Sequence, residues 1–170
     1  MVTFFSQSHF NLMKHIFTFL FFLIFLSCTT KNQQLTNEQL EVEKEAIKTT
    51  LNKMWAAIEN EDIEAYAQYI HPDFSQFGEY DAEITLGKKL EIEGVANWVK
   101  TSENIHTEMI DPIVTIKDDV AWITYYWSDH GTTEGIPFAS KGKSTRIFVK
   151  DKNKWLCIHG HYTLLPPFAN

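Results

Sequence analysis

The spacing of apolar residues changes once along this chain, near residue 104, and that change limits the fold more than any single motif. Before it, apolar positions recur at intervals of three and four. After it, "HTEMIDPIVTIK", "VAWITYYWSDH", "PFASKGKSTRIFVK" and "KWLCIHGHYTLL" are rich in β-branched and aromatic residues, and Lys117-Asp118-Asp119 and Asp151-Lys152-Asn153 read as hairpin turns. Helices followed by a strand meander predict an α+β fold in which a long curved antiparallel sheet wraps around N-terminal helices and leaves a cone-shaped hole.

Three helices are expected in the first part. Thr36 and Gln39 have the spacing of a capping box, and Leu40, Ile47, Leu51, Met54, Trp55 and Ile58 then form one apolar stripe over more than four turns. In "NEDIEAYAQYIHPDF", Asn60 or Asp62 can cap, Ile63, Tyr66, Ala67 and Ile70 share a face, and Pro72 ends the helix. "GKKLEIEGVANWVKT" carries a third stripe of Leu90, Val95, Trp98 and Val99, weakened by Gly94 in its middle.

The residues before Thr36 have a different character. "MKHIFTFLFFLIFLSC", residues 13 to 28, has a positive head at Lys14 and an apolar run from Ile16 to Leu26. That run is short of the roughly 20 residues needed to span a bilayer and fits the core of an export signal. Its end, "FLSC", resembles the lipobox of bacterial lipoproteins, although Phe25 occupies the position where leucine is commonest. The expected organisation is therefore a signal over 1–27, with Met13 as a second candidate start, then lipidation of Cys28 and a tether to residue 35. A domain over 36–166 and a short tail, 167–170, complete it. An ordinary secretory signal or a short membrane anchor are the alternatives. "TTKN" after Cys28 lacks an aspartate beside the cysteine, which by analogy with other lipoproteins favours the outer membrane of a Gram-negative cell, facing the periplasm.

The formal net charge is −7, and Arg146 is the only arginine, so the chain is poorly suited to nucleic acid, whose phosphates call for clustered cations. Cys28 and Cys157 are the only cysteines; with Cys28 lipidated, no disulfide is available and stability must come from a packed core. An aromatic content of 14% makes such a core credible.

Two stretches carry a resemblance. "AYAQYIHPDF", where a helix runs into a proline and an aromatic strand, and "KWLCIHGHYTLLP" at the end are similar to SnoaL-like domains of the nuclear transport factor 2-like superfamily, and to the related association domain of calcium/calmodulin-dependent kinase. The closing pattern falls on Trp155, Ile158, His159, His161, Thr163 and Pro166. The resemblance spans roughly residues 38 to 166. It implies a cystatin-like cone and homodimerisation through the sheet, but no single activity, because isomerases, cyclases, hydrolases, dehydratases and association modules share this cone.

The site must therefore be sought in particular residues. Proton transfer of the steroid-isomerase kind needs a carboxylate facing the cavity and a tyrosine donor beside it, for which Asp129 with Tyr66, Tyr69, Tyr125 or Tyr126 are available. Arg146, in an alternating strand, is either a water-activating group, an exposed residue or a structural ion pair. In a regular strand Trp155, Cys157, His159 and His161 point the same way, which makes His159 and His161 candidate acid–base or pocket residues. As metal ligands they lack a third partner, since His71, His106 and His130 are scattered; no metal and no cofactor are expected. On the central strand Val120, Trp122, Thr124, Tyr126 and Ser128 alternate with Ala121, Ile123, Tyr125, Trp127 and Asp129. One set is expected to line the cone and the other an interface between copies.

A cone lined by Trp55, Tyr66, Phe74 and Trp98, with Tyr125, Trp127, Arg146, His159 and His161, suits a flat apolar or aromatic ligand with a few polar handles. Two functions follow. A lipid-anchored envelope domain that holds such a molecule is preferred. The alternative is a cavity enzyme acting on a small carbonyl or polyketide-like compound, with catalytic candidates Tyr66, Asp129, His159 and His161. A buried carboxylate within hydrogen-bond reach of a cavity tyrosine reverses that preference.

Overall fold

The computed structural model describes residues 35–79 and 82–166. The signal, Cys28, the tether up to residue 34 and the tail 167–170 lie outside the described residues. Among the described residues no helix is long and apolar enough to cross a membrane.

Helix α1 (Asn37–Glu59) starts where the sequence places it. The Thr36 side chain accepts from the Gln39 N–H at 3.2 Å, and the Gln39 Oε1 accepts from the Thr36 N–H at 2.9 Å, so two orphan donors of the first turn are satisfied reciprocally. Thr36→Ala removes one of these bonds and is expected to lower the free energy of unfolding by about 1 kcal/mol, read from the urea midpoint at constant m-value. The α1 stripe of Ile47, Leu51, Met54 and Trp55 is buried against the sheet.

Helix α2 (Ile63–Ala67), capped by Asp62, is shorter than its apolar spacing implies. Ile70 belongs to strand β1 (Ile70–Phe77), and Pro72 lies within that strand and not at a helix end. The reason is tertiary: the Tyr69 carbonyl accepts from the Cys157 N–H at 2.8 Å, and Ile70 pairs with Cys157, so the chain is captured by a neighbouring strand one turn early. Strand β2 (Thr85–Leu86) and helix α3 (Lys88–Val99) follow. Then come four long strands, β3 (Ser102–Lys117), β4 (Val120–Thr133), β5 (Ile136–Asp151) and β6 (Lys154–Leu164).

The sheet order is β2-β1-β6-β5-β4-β3. The β3–β6 meander is antiparallel, as its hairpin turns require, and Asp118, Lys152 and Asn153 in those turns have positive φ. The antiparallel expectation fails at one place, since β1 lies parallel to β6. These two strands are far apart in sequence and no hairpin joins them, so nothing forces antiparallel pairing. Register shifts in β3 between Glu103 and His106, and between Ile110 and Ile113, bend the longest strand and help curve the sheet around α1. Pro112 sits at the second shift, on the edge strand, where its missing N–H leaves no ladder bond unmade.

The set Ala121, Ile123, Tyr125 and Trp127 faces the concave side and is buried, whereas Val120, Trp122 and Tyr126 are exposed on the convex side. Phe148 and Cys157, both fully buried, close the core from the next strands. Gly142 is opposite Trp127 in the β4–β5 register and makes room for the indole, which crosses the floor of the cone.

Candidate active site

Above the packed core the concave face is polar. On β5 the inward positions are Gly142, Ser144, Arg146 and Phe148, so the alternation that buries Phe148 also buries the guanidinium of Arg146, 3% exposed. Arg146 is neither a surface residue nor half of a plain ion pair. Its Nη1 donates to Cys157 Sγ at 3.8 Å, and its guanidinium lies over the Tyr162 ring at 4.4 Å. Gly160 is required beside it, because an added β carbon would stand 2.7 Å from Arg146 Nη1.

Facing Arg146 are two residues from the helices. Tyr66, on α2, is fully enclosed, and its hydroxyl donates to Glu91 Oε1 of α3 at 2.6 Å. Glu91 is itself buried, so a carboxylate is held within hydrogen-bond reach of a cavity tyrosine. Burial, followed by the nearby Glu91 charge, pushes the Tyr66 phenol well above its ordinary range, which keeps it a neutral donor. Burial also disfavours the Arg146 charge, yet the surrounding Cys157, Tyr125, Tyr66 and Glu91 more than offset it and hold the guanidinium firmly protonated. Burial raises Tyr125 and Cys157 in turn, with Arg146 acting against the rise in both.

These groups surround a chamber of about 170 Å³. Trp55 and Ile58 of α1, Tyr66 of α2 and Val95 and Trp98 of α3 form one wall, and Tyr125, Trp127, Asp129, Arg146 and Tyr162 form the sheet side. Among the described residues, five buried side-chain atoms have no hydrogen-bond partner: Gln76 Oε1, Tyr125 OH, Trp127 Nε1, Asp129 Oδ1 and Arg146 Nε. All five belong to residues that line this one chamber. Buried polar groups in folded proteins are nearly always paired, so a convergent set of orphans marks a place built for another molecule. Burial raises the carboxyl of Asp129, against the opposing Ser140 backbone N–H.

Of the residues singled out in the sequence, Trp55, Tyr66, Trp98, Tyr125, Trp127, Asp129 and Arg146 meet around the chamber. Phe74 does not; it is 1% exposed and packs within the hydrophobic core. His159 and His161 do not either, and the cause is a β-bulge. Ile147 pairs with His159 but Phe148 pairs with Cys157, so Ile158 is an extra residue that reverses the alternation of β6. Trp155 and Cys157 therefore point into the core, as do Gly160 and Tyr162 beyond the bulge, while both histidines turn to the convex face beside Phe77. There His159 Nδ1 is 2.8 Å from Ser75 Oγ, and burial, then His161 and Arg146, hold its pKa below the usual imidazole value. Tyr69 packs against the core and Tyr126 is half exposed on the convex side, so neither belongs to the chamber.

Glu91, Gln76 and Tyr162 were not singled out in the sequence. Glu91 had a legible signal: Glu91, Val95 and Trp98 follow the i, i+4, i+7 rule of a buried stripe, while Leu90 beside it is 54% exposed. No group of His, Cys, Asp and Glu among the described residues has the arrangement of a metal site.

The SnoaL-like domain model matches residues 47–166 of this chain. Among solved structures, a candidate dehydratase of the NTF2-like family from Streptomyces avermitilis superimposes with a TM-score of 0.70 at 15% identity, over 75% of this chain and 99% of that one. The association domain of C. elegans CaMKII gives 0.62 at 21% identity, over 75% and 99%. A candidate aromatic ring hydroxylase from Novosphingobium aromaticivorans gives 0.66 at 16% identity, over 72% and 88%. At these identities the likenesses establish the fold, and the names of the neighbours differ among themselves. It is the domain match, running from the middle of α1 to the end of β6, that assigns the chain to a family: it belongs to the SnoaL-like domains.

Proposed function

We propose that the chamber is the active site of a small-molecule enzyme that moves a proton next to a carbonyl group. The observation that carries this reading is the gathering of five unpaired polar atoms on residues that line one chamber beside the Tyr66–Glu91 pair. The pair meets the condition under which catalysis is preferred over simple holding of a ligand. In the reaction, the Asp129 carboxylate takes a proton from the carbon beside the carbonyl. The electron pair of that C–H bond forms a carbon–carbon double bond as the π pair of the carbonyl moves to its oxygen, and Arg146 Nε–H, Tyr125 O–H and Trp127 Nε1–H donate to the enolate so formed. The Tyr66–Glu91 bond fixes the wall opposite and balances the Arg146 charge. The aromatic lining favours an apolar or ring-bearing substrate.

The test is hydrogen–deuterium exchange at the α-carbon of small cyclic and aryl ketones in D2O, followed by NMR. The protein is expected to accelerate exchange, and Arg146→Gln to slow it by about 10²–10³ as other lost oxyanion donors do. Binding without exchange would leave a holding protein, and neither binding nor exchange would remove the chamber's claim to function.

The same proposal includes the cell envelope as its setting, with Cys28 lipidated and the domain tethered to the outer membrane, on the strength of the signal-like segment ending in "FLSC". It also includes a homodimer through the convex face. Ile113 is 68% exposed and Tyr126 49% exposed there, beside a shallow depression of about 440 Å³ that includes Lys143 and His161. Neighbours in fold include association and hub domains.

A further inference from the structure

The chamber has an outer annex. A vestibule of about 480 Å³ shares Gln76, Glu79, Trp98, Asp129 and Tyr162 with it as lining residues, so the two spaces meet along that rim. The rest of the vestibule is lined by Gly78, Thr133 and Ser140 and, at the start of β5, by the apolar Ile136, Pro137 and Phe138, which face Trp98 of α3; the Trp98 and Phe138 rings are 6.3 Å apart. This wall is held in place. Glu134 N–H at the hairpin tip donates to the Thr101 carbonyl at 2.7 Å, and the hydroxyls of Ser102 and Thr133 are 2.8 Å apart. Ile136 nevertheless leaves 70% of its surface in solvent, an apolar side chain on the wall of the vestibule.

The orphan atoms are sorted by depth. Arg146 Nε, Tyr125 OH and Trp127 Nε1, all donors, belong to residues that line the chamber and not the vestibule. Gln76 Oε1 and Asp129 Oδ1, both acceptors, belong to residues on the shared rim. A complementary ligand therefore carries an acceptor oxygen at its inner end, a hydroxyl or N–H a few bonds outward, and an apolar portion after that. Size requires the third part. A cavity near 150 Å³ is filled by benzene, so the chamber holds a head of that order, whereas ligand sites ordinarily begin at about 300 Å³. Charge refines the first part. Glu91 already faces Arg146 across the chamber and Asp129 adds a carboxyl at the rim, so a neutral carbonyl fits the donors better than a further deep carboxylate.

Building on the reading of the chamber as the reactive end, we infer that the substrate is an amphiphilic β-hydroxy carbonyl compound, carbonyl inward, hydroxyl at the rim, and an apolar tail lying in the vestibule against Trp98, Ile136 and Phe138. Ile136 and Phe138 are then the residues that set tail length.

The probes are 4-hydroxy-2-alkanones, which have this order of groups, with chains from pentanone to undecanone, titrated against the full chain by tryptophan fluorescence. Each added methylene is expected to tighten Kd three- to fourfold until the vestibule is filled. Ile136→Ser should flatten that slope and leave the Kd of the pentanone unchanged; because Ile136 is exposed, this variant is not expected to disturb folding. Phe138→Ala is the second variant, with thermal melting as its control for folding. A Kd independent of chain length, with the pentanone still bound, would overturn the inference and leave the chamber reading intact. A slope undiminished in both variants would place the tail elsewhere and overturn it as well. No saturable binding of any member, the pentanone included, would overturn the chamber reading together with the inference built on it.

Discussion

Substituting alanine for Gly142 is expected to lower the free energy of unfolding by about 3 kcal/mol and to weaken ligand binding in the same step. An added β carbon would stand 2.3 Å from Trp127 Cζ2, 2.4 Å from Cε2 and 2.7 Å from the Thr163 carbonyl oxygen. The carbonyl belongs to the β5–β6 ladder and the indole to a buried, chamber-lining residue that is 4% exposed, so neither can withdraw cheaply. If the indole tilts, its Nε1 donor moves with it, which is why stability and binding change together. Gly94 supplies the control. It is also a glycine inside a regular element, but nothing lies within 4 Å of its added β carbon, and Gly94→Ala should stabilise α3 by up to about 1 kcal/mol. Urea unfolding of both variants, with the tryptophan emission maximum recorded, checks the pair; a Gly142 variant within 1 kcal/mol of the parent would refute the argument.

The second large effect is on turnover. Asp129→Asn keeps the shape and one acceptor oxygen but removes the base, and is expected to reduce kcat/KM by about 10²–10⁴. The pH profile gives an independent check. Burial raises the Asp129 pKa above the ordinary carboxylate value of 3.8, so activity should be complete at neutral pH and should fall as acid protonates the group above that value. The sign for stability is opposite. A carboxyl whose pKa is raised by folding binds its proton more tightly in the native state, so its ionised form opposes folding once pH exceeds the native pKa. The asparagine variant should therefore melt no lower than the parent at pH 7. Activity retained within tenfold, or an acid limb unchanged by the substitution, would exclude Asp129 as the base.

What the sequence made legible follows from how local each signal is. The Thr36–Gln39 box, the α1 stripe and the meander turns rest on contacts a few residues apart, and all three are present. The end of α2 is not legible, because Ile70 fits a helical face equally well and only a strand arriving from residue 157 decides between the two. Regular alternation puts the histidine pair on the side of Trp155 and Cys157, and the structure puts it on the other, because a bulge is one residue of excess length, invisible to any alternation count. Glu91 is hard to read as a site residue because a glutamate on an amphipathic helix ordinarily faces water, and only the partner hydroxyl of Tyr66 makes its burial tolerable. Arg146 and Asp129 were visible as residue types, but their meeting depends on the register of β4 with β5, where Ile123 is opposite Arg146 and Asp129 opposite Ser140.

The extra residue at Ile158 also bears on how such a chain can change over generations. Elsewhere on these strands, odd and even positions address two separate audiences: the small molecule inside and, on our proposal, another copy outside. Point substitutions can therefore revise one without consulting the other. Straightening the bulge with Ile158 retained would break that independence, because everything beyond it in β6 would exchange sides, whereas deleting Ile158 would remove only the extra residue and leave every later side chain facing as it does. In the straightened strand, imidazoles at 159 and 161 would enter the chamber while Gly160, whose bare α carbon gives Arg146 its room, and Tyr162, which lies against the guanidinium, would be expelled. One bulge is thus all that separates this interior from a histidine-bearing one on the same scaffold.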